Sequence, residues 1–326
     1  MEQIAFIIDH VYIYWSDIVT ALAAAAAVCT FLAMYDKKGA GILCALLAVP
    51  MSLLLARLVY WYFRPDSYED WKQAVNPFAS GKGALLGAIA GCFLTALFLR
   101  ATRLVKDLPV LLDSLCPAGC LGIALGRLAA FFNASDRGMM AAEPSNSIWF
   151  PPIVNPVSGR VEYRLATFLL QAAAAGLIFL ALVICGHRKN RKNGEPSLLF
   201  LLLYGASQVV LDSTRYDGLY FRSNGFVSVV QVLCAVAIGV VVIFCAVRLI
   251  REGGWKKRYI VLFLAQAGGF SLAGYMEYYV QRHGNKALFA YGVMAGALAV
   301  LVVLTLVSYW LFRQEKEKKE ALPWRK

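Results

Sequence analysis

Charge is scarce in this 326-residue sequence: Asp, Glu, Lys and Arg make up 16% of it, whereas a soluble domain usually carries about 25%. The three histidines are scattered without metal-ligand spacing, so no bound metal is expected. The eight cysteines all lie within or beside apolar runs and indicate no disulfide framework. No Walker, Rossmann or nucleophile-elbow pattern is present. These shortages argue against an ordinary soluble domain and a metalloprotein.

Apolar residues are correspondingly abundant, at 60% of the chain with a mean hydropathy of +0.61. A helix needs about 20 apolar residues to cross a bilayer, and nine runs reach or approach that length. We therefore predict an all-α, polytopic membrane protein with about nine transmembrane helices, of which the sixth is short. The runs are 18–34, 42–63, 84–99, 108–132, 165–185, 198–211, 227–247, 260–280 and 288–312.

Lys and Arg are concentrated in alternate loops between these runs. Because basic loops stay on the cytoplasmic side, nine spans predict an outside N-terminus and a cytoplasmic C-terminus. The net charge of +12 then reflects anchoring beside anionic lipid, and nucleic-acid binding is not expected. The long loops 64–83 and 133–164 fall on the outer side, and loops of that length are often functional. This arrangement favours work at the outer leaflet.

The sixth run carries a polar stripe formed by Tyr204, Gln208, Asp212 and Arg215. Their spacings of four, four and three would place them on one face of a helix. Ionisable residues at membrane depth are costly and therefore candidates for function. The alternative is an Asp212–Arg215 pair that only caps the helix at the interface.

Arg127 lies near the end of the fourth run, where its guanidinium fork suits a phosphate or carboxylate. A structural pair with Asp136 or Asp212 is the alternative. Arg57 lies nearer to a helix end among aromatic residues, where interfacial anchoring explains it equally well. Lys82 precedes the third run, where a cation could reach a lipid phosphate or act as an ordinary flanking charge.

Four segments resemble, in order, the prolipoprotein diacylglyceryl transferases of bacterial cytoplasmic membranes. The resemblance covers roughly residues 14–250, and we predict a transferase-like transmembrane domain over residues 1–250. Residues 251–312 would add a transmembrane hairpin, and 313–326 a charged cytoplasmic tail. The matching segments are Ala56-Arg57-Leu58-Val59-Tyr60, Gly126-Arg127 through Asn133 with Gly138, Tyr204-Gly205 through Asp212 and Arg215, and Ser228-Val229-Val230-Gln231.

The resemblance implies transfer of a diacylglyceryl group from phosphatidylglycerol to the lipobox cysteine of lipoprotein precursors at the bacterial inner membrane, without a cofactor. The cysteine thiolate would attack the glyceryl carbon, and glycerol phosphate would leave. Arg127 would hold the phosphate, whose charge develops as the bond breaks. The residues implied in organising the site are Asp212, Arg215, Tyr204 and Asn133, and those expected to contact substrate also include Arg57, Lys82, Gln208, Gly138 and Gln231.

Two departures from the family pattern leave an alternative open. Gln208 stands where the family has an arginine, and Lys82 stands in place of its histidine. The chain could therefore be a catalytically altered paralogue that binds lipid or lipoprotein without the transfer reaction. The presence of Arg127, Asp212 and Arg215 favours the enzyme. A transporter ranks last, because no paired halves with broken helices are found.

Overall fold

The computed structural model describes residues 3–8, 11–76, 82–141, 147–155, 158–189, 191–221, 224–283 and 286–320. Within these ranges the chain is predominantly helical, and eight helices are long and apolar enough to cross a membrane. One further apolar helix has 17 residues. The predicted polytopic helical membrane protein is thus confirmed. The helices are α1 (Trp15–Met34), α2 (Lys38–Phe63), α3 (Trp71–Val75), α4 (Leu85–Ala101), α5 (Leu108–Arg127), α6 (Thr167–Gly186), α7 (Glu195–Ser213), α8 (Val229–Gly253), α9 (Lys257–Arg282) and α10 (Ala287–Glu320).

Helix α7 is longer than the predicted run 198–211 because its start is polar. Pro196 lies in its first turn, where the missing N–H of proline costs nothing. The carboxylate of Asp113 on α5 accepts from the backbone N–H groups of Gly194 at 2.7 Å and Ser197 at 3.2 Å, and from the Ser197 hydroxyl at 2.7 Å. A buried acid from another helix therefore caps α7.

The other end of α7 corrects the predicted stripe. The helix ends at Ser213, so Tyr204, Gln208 and Asp212 share one helix but Arg215 lies beyond it. The prediction that one helix carries all four was wrong for Arg215.

Within the described ranges, three short antiparallel ribbons were not anticipated by the all-α prediction. The second of them lies within the long loop 133–164, and α3 lies within the loop 64–83. Pro152, which has no N–H to donate, is tolerated because a two-stranded ribbon has only edge strands. The ribbons pair β1 (Ile4–Ile8) with β2 (Val11–Tyr14), β3 (Pro152–Val154) with β4 (Val161–Tyr163), and β5 (Tyr220–Phe221) with β6 (Asn224–Ser228).

The chain divides into two compact units, each considered by itself: residues 1–200 with 214–230, and residues 201–213 with 231–326. The division does not fall at residue 250, and the domain boundary predicted there stays a prediction. Helix α10 continues to Glu320, so the first part of the predicted tail is helical, whereas residues 321–326 lie outside the described ranges.

In the first unit, α4 packs directly on the backbone of α2. A Cβ atom at Gly87 would lie 2.2 Å from the carbonyl oxygen of Leu55, and one at Gly91 would lie 2.5 Å from the Cα of Ser52. Glycines four residues apart allow this approach, as small residues do between membrane helices. The short helix α4 is therefore held by close backbone packing.

In the second unit, the part of α7 after Phe200 packs on α8, and α9 forms a hairpin with α10. Gly205 permits the first contact, because a Cβ there would lie 3.0 Å from Ile238 Cγ1. Buried polar side chains link the hairpin, with Gln266 Nε2 donating to Ser308 Oγ at 3.0 Å. Such interhelical hydrogen bonds are favourable where water is absent.

Candidate active site

Two arginines from distant parts of the first unit share one aspartate. Arg127 is the last residue of α5, Asp136 lies in the loop that follows, and Arg215 lies two residues after the end of α7. Arg127 Nη1 is 2.8 Å from Asp136 Oδ2, and Arg215 Nη2 is 2.7 Å from Asp136 Oδ1. The three side chains are only 11–16% exposed. The structure therefore brings Arg127 and Arg215 together, and the alternative pairing of Arg127 with Asp136 is found.

A second aspartate extends this cluster. Asp217 Oδ1 accepts from Arg215 Nε at 3.0 Å, and Asp217 Oδ2 accepts from the backbone N–H of Asp136 at 2.8 Å. Arg64, which follows α2, donates through Nη2 to the carbonyl oxygens of Asp217 at 3.3 Å and Gly218 at 2.9 Å. The loop after α5 and the segment after α7 are thereby joined through side chain and backbone. Sequence reasoning did not identify Asp217 or Arg64 as site residues.

Asp136 adopts an uncommon backbone conformation, with φ of +55°. Aspartate is among the few residues that tolerate this region, and strained residues of this kind concentrate at functional sites. Burial alone would raise the pKa of its carboxyl, but the guanidinium groups of Arg127 and Arg215 outweigh burial and hold that pKa below its ordinary value. Asp136 is therefore ionised at neutral pH and acts as the counter-ion of both arginines.

Arg137 is a buried cation that sequence reasoning missed. Its side chain is 3% exposed, and its guanidinium lies 4.6 Å from the ring centroid of Phe168. Nη2 donates to the carbonyl oxygens of Ala130 at 3.0 Å and Asn133 at 3.4 Å, whereas Nε and Nη1 have no hydrogen-bond partner within the described residues. Burial lowers its pKa from the ordinary arginine value. An arginine in a loop is normally solvated, so no pattern in the sequence indicated its burial.

Asn133 shapes the loop between Arg127 and Asp136. Its side-chain oxygen accepts from the backbone N–H of Ser135 at 3.0 Å and from the Ser135 hydroxyl at 2.5 Å, which forms a local turn. Asn133 and Arg137 also line a cavity of about 260 Å³. The other lining residues are mainly apolar and come from the same loop and from the β3–β4 ribbon: Phe131, Phe132, Ala134, Pro152, Ile153, Val154 and Val161, together with Gln3.

Gly138 ends the same loop at a place with no room for a side chain. A Cβ there would lie 2.4 Å from Thr167 Oγ1, 3.0 Å from the carbonyl oxygen of Thr214 and 3.1 Å from Leu165 Cβ. Its N–H donates to the carbonyl oxygen of Leu165 at 2.7 Å. Gly138 was predicted as a substrate contact, and the structure shows it packed where α6 begins.

Arg57 and Lys82 lie beside Tyr68 in the first unit. Arg57 is 6% exposed and donates to the carbonyl oxygens of Gln73 at 3.1 Å and Ala74 at 3.0 Å, with its guanidinium 5.4 Å from the Tyr68 ring centroid. The Tyr68 hydroxyl donates to the carbonyl oxygen of Lys82, whose side chain is exposed. These contacts give Arg57 a role in holding α3, and substrate contact by Arg57 and Lys82 stays a prediction.

The remaining predicted site residues belong to the second unit. Tyr204, Gln208 and Asp212 are buried along α7, at 7%, 1% and 2% exposure. Gln231 on α8 is also buried, and its Nε2 donates to the carbonyl oxygen of Val209 at 3.1 Å. The structure thus assigns Gln231 a contact with the last turns of α7, and the catalytic and substrate-binding roles of all four stay predictions.

Comparison with known proteins bears on the chemistry of this arrangement. The family model for prolipoprotein diacylglyceryl transferase matches residues 3–247, and the match ends before α9. Similar proteins named phosphatidylglycerol–prolipoprotein diacylglyceryl transferase occur in Lactococcus lactis, Oceanobacillus iheyensis and Finegoldia magna. They are 29%, 27% and 27% identical, over 59%, 72% and 72% of this chain and 74%, 86% and 94% of the relatives.

The chain belongs to the prolipoprotein diacylglyceryl transferase family. The predicted resemblance is confirmed, and with it the placement of the chain as a multi-pass protein of the bacterial inner membrane.

Proposed function

We propose that this member of the family transfers the diacylglyceryl group of phosphatidylglycerol to the lipobox cysteine of lipoprotein precursors, with the shared Asp136 and its two arginines at the reacting phosphate. The observation that carries this assignment is the pair of guanidinium groups, from Arg127 and Arg215, held on one carboxylate in a nearly buried site. The transferases named among the relatives support the reaction, and give no support to the alternative of a lipid-binding paralogue without activity.

The cluster suits an anionic lipid because positive charge is in excess. Among the described residues, the guanidinium groups of Arg127 and Arg215 contact the carboxylates of Asp136 and Asp217. Those of Arg137 and Arg64 bind backbone carbonyls of the same two segments. A buried site with surplus positive charge attracts a phosphodiester and increases its local concentration. Phosphate is the group in phosphatidylglycerol that such a site would recognise.

The reaction increases negative charge at that phosphate. The precursor's sulfur forms a bond to the terminal glyceryl carbon of the lipid, and the bond from that carbon to the phosphate oxygen breaks. The thiol proton is released, and the phosphodiester monoanion becomes glycerol phosphate with one more ionisable oxygen. Donors already oriented towards this oxygen favour the transition state over the bound lipid. The Nε atom of Arg127, which has no hydrogen-bond partner within the described residues, is a donor available for this role.

Asp136 is suited to hold the arginines and not to remove the thiol proton. Its pKa lies below the ordinary value, so it is a weak base at neutral pH. We assign it the orientation of both guanidinium planes. The nearby positive charge itself favours the thiolate form of a cysteine that approaches the cluster.

The cavity beside Asn133 and Arg137 offers a place for the precursor. Its mainly apolar lining suits an apolar peptide segment, and it adjoins the loop that carries Asp136.

The test is an in vitro transfer assay with the full chain in detergent, phosphatidylglycerol and a lipobox peptide, followed by the peptide mass. We expect a diacylglyceryl mass gain, and its loss with a Cys→Ser peptide or with Arg127→Ala. Arg160→Ala is the matched control, because Arg160 is an exposed arginine in the β3–β4 turn. No mass gain from the unaltered chain, while an authentic transferase is active in parallel, would refute the proposed function. Full activity of Arg127→Ala would remove Arg127 from the mechanism.

A further inference from the structure

The last turn of α7 is held by side chains from the hairpin that lies beyond the family match. Glu277 of α9 accepts through Oε2 from the hydroxyl of Ser213, the last residue of α7, at 2.6 Å. The hydroxyl of Tyr291, on α10, donates to the carbonyl oxygen of Ser213 at 3.1 Å. One residue is therefore fixed through its side chain by α9 and through its backbone by α10.

Glu277 is an unusual residue for its position. It is the only Asp, Glu, Lys or Arg between Arg258 and Arg282 in α9, and it is 8% exposed. A carboxylate within a membrane helix is costly and is retained when it makes a specific contact. The second oxygen, Oε1, accepts from Gln281 Nε2 at 3.2 Å. Both oxygens thus act as acceptors, and the contact from Ser213 is short at 2.6 Å.

The contact from Tyr291 has its own physical reason. The last four carbonyl groups of a helix lack partners within the helix, and in a membrane protein water is not at hand to replace them. Tyr291 supplies a donor to the Ser213 carbonyl. Gln231 of α8 donates to the Val209 carbonyl one turn earlier. Three successive helices therefore stabilise the end of α7.

This end of α7 lies next to residues predicted to act in the transfer reaction. Asp212 immediately precedes Ser213, and Arg215 is two residues further along the chain. We infer that Glu277 is a positioning residue for the transferase: with Tyr291 it fixes the end of α7 at Ser213, and thereby the orientation of Asp212. The inference rests on the proposed function, and it gives the additional hairpin a part in the active enzyme.

The hairpin carries a matched control at its opposite end. Glu315 of α10 accepts from Lys256 Nζ at 2.9 Å and from Arg258 Nη2 at 3.1 Å, near the start of α9. Glu315→Gln therefore weakens polar contacts of the same hairpin, far along the helices from Ser213. If the hairpin served only general stability, this variant would affect the enzyme as Glu277 variants do.

The experiment measures kcat and the KM for phosphatidylglycerol in the transfer assay. We expect Glu277→Ala to lower kcat at least about 10-fold with KM changed less than about twofold, because misplacement without lost contacts to substrate mainly affects the reacting geometry. Glu277→Gln keeps an oxygen that accepts from Ser213 and should retain kcat within about threefold of the parent. Ser213→Ala should also lower kcat. Combining it with Glu277→Ala should cause no further loss, because both changes remove the same Ser213–Glu277 hydrogen bond. Glu315→Gln should leave kcat unchanged.

Parent-like kcat in folded Glu277→Ala would overturn the inference, and so would an equal loss in Glu315→Gln. If Glu277→Ala does not fold, Ser213→Ala decides, since alanine is well tolerated in a helix: parent-like kcat there would also overturn it. Inactivity of the unaltered chain would refute the proposed function and the inference with it, whereas an active chain with unaffected variants would refute the inference alone.

Discussion

Replacing Asp136 with asparagine should separate the two arginines that it holds. The substitution keeps the size of the side chain, and asparagine tolerates the left-handed backbone at φ of +55° as aspartate does. It removes the charge that pairs with Arg127 at 2.8 Å and Arg215 at 2.7 Å. The resulting loss therefore reports on electrostatics and not on backbone strain.

The size of the expected stability loss follows from the burial of the two ion pairs. Breaking a fully buried ion pair costs about 3–5 kcal/mol, because a charge is left without its partner. Here the side chains keep 11–16% exposure and the amide oxygen still accepts one hydrogen bond, so we expect a loss of about 2–4 kcal/mol in the free energy of unfolding. Asp136→Ala should lower the free energy of unfolding by about 1 kcal/mol more, because the Cβ of alanine is strained at positive φ.

Denaturant unfolding in detergent micelles measures this difference, and the transfer assay gives kcat on the same samples. We expect kcat to fall about 100-fold, because the two guanidinium groups lose their common orientation. Glu162→Gln is the control: it breaks one ion pair, with Arg164 at 2.7 Å in the β3–β4 region, and should shift the unfolding transition less than Asp136→Asn, which breaks two. If Asp136→Asn has the same midpoint denaturant concentration as the parent, and a parent-like kcat, the reasoning is refuted.

The pH dependence has a definite sign. Because the pKa of Asp136 is lowered from its ordinary value of 3.8, its contribution to stability is present above that value and is lost as the pH falls through the lower native pKa. The stability difference between the parent and Asp136→Asn should therefore be constant near neutral pH and shrink below about pH 3.8. Glu162, whose pKa is also lowered through Asn155 and Arg164, is present in both proteins and cancels in the difference. A difference that stays constant under acid would contradict the assignment.

Three other changes test the surroundings of the site. Gly138→Ala should destabilise the protein by about 1–3 kcal/mol, since its Cβ would lie 2.4 Å from Thr167 Oγ1. A second change, Thr167→Ala, should recover part of this loss in thermal unfolding. No recovery would point to another clash. Asp113→Ala should cost about 1–2 kcal/mol through loss of the α7 cap, with the KM for phosphatidylglycerol unchanged; parent-like stability would show that the cap is dispensable. Arg137→Lys keeps the charge but loses the planar fork and the stacking on the Phe168 ring. The free energy of unfolding should therefore fall by about 1–3 kcal/mol. An unaltered unfolding curve would argue against a structural role for the guanidinium.

Arg127 and Gly138 show how much of the candidate site could be predicted from local sequence. The segment from Arg127 to Gly138 is one of four that together indicated the family, and Arg127 was selected as a phosphate-binding candidate from its place near the end of an apolar run. Residues whose role depends on distant partners escaped this reasoning. Arg137 and Asp217 are ordinary loop residues in the sequence, and only folding buries one and places the other on the backbone N–H of Asp136.

Sequence alone determined the membrane character, the apolar helices and the family, because each depends on composition, periodicity or the order of residues along the chain. It did not determine where α7 begins and ends. The start depends on Asp113, about 80 residues earlier in the chain, and the end on Glu277 and Tyr291, more than 60 residues later. Only the tertiary structure decided that Asp136 would serve Arg127 and Arg215 together, because an ion pair forms when folding brings distant segments within about 3 Å and removes water from between them.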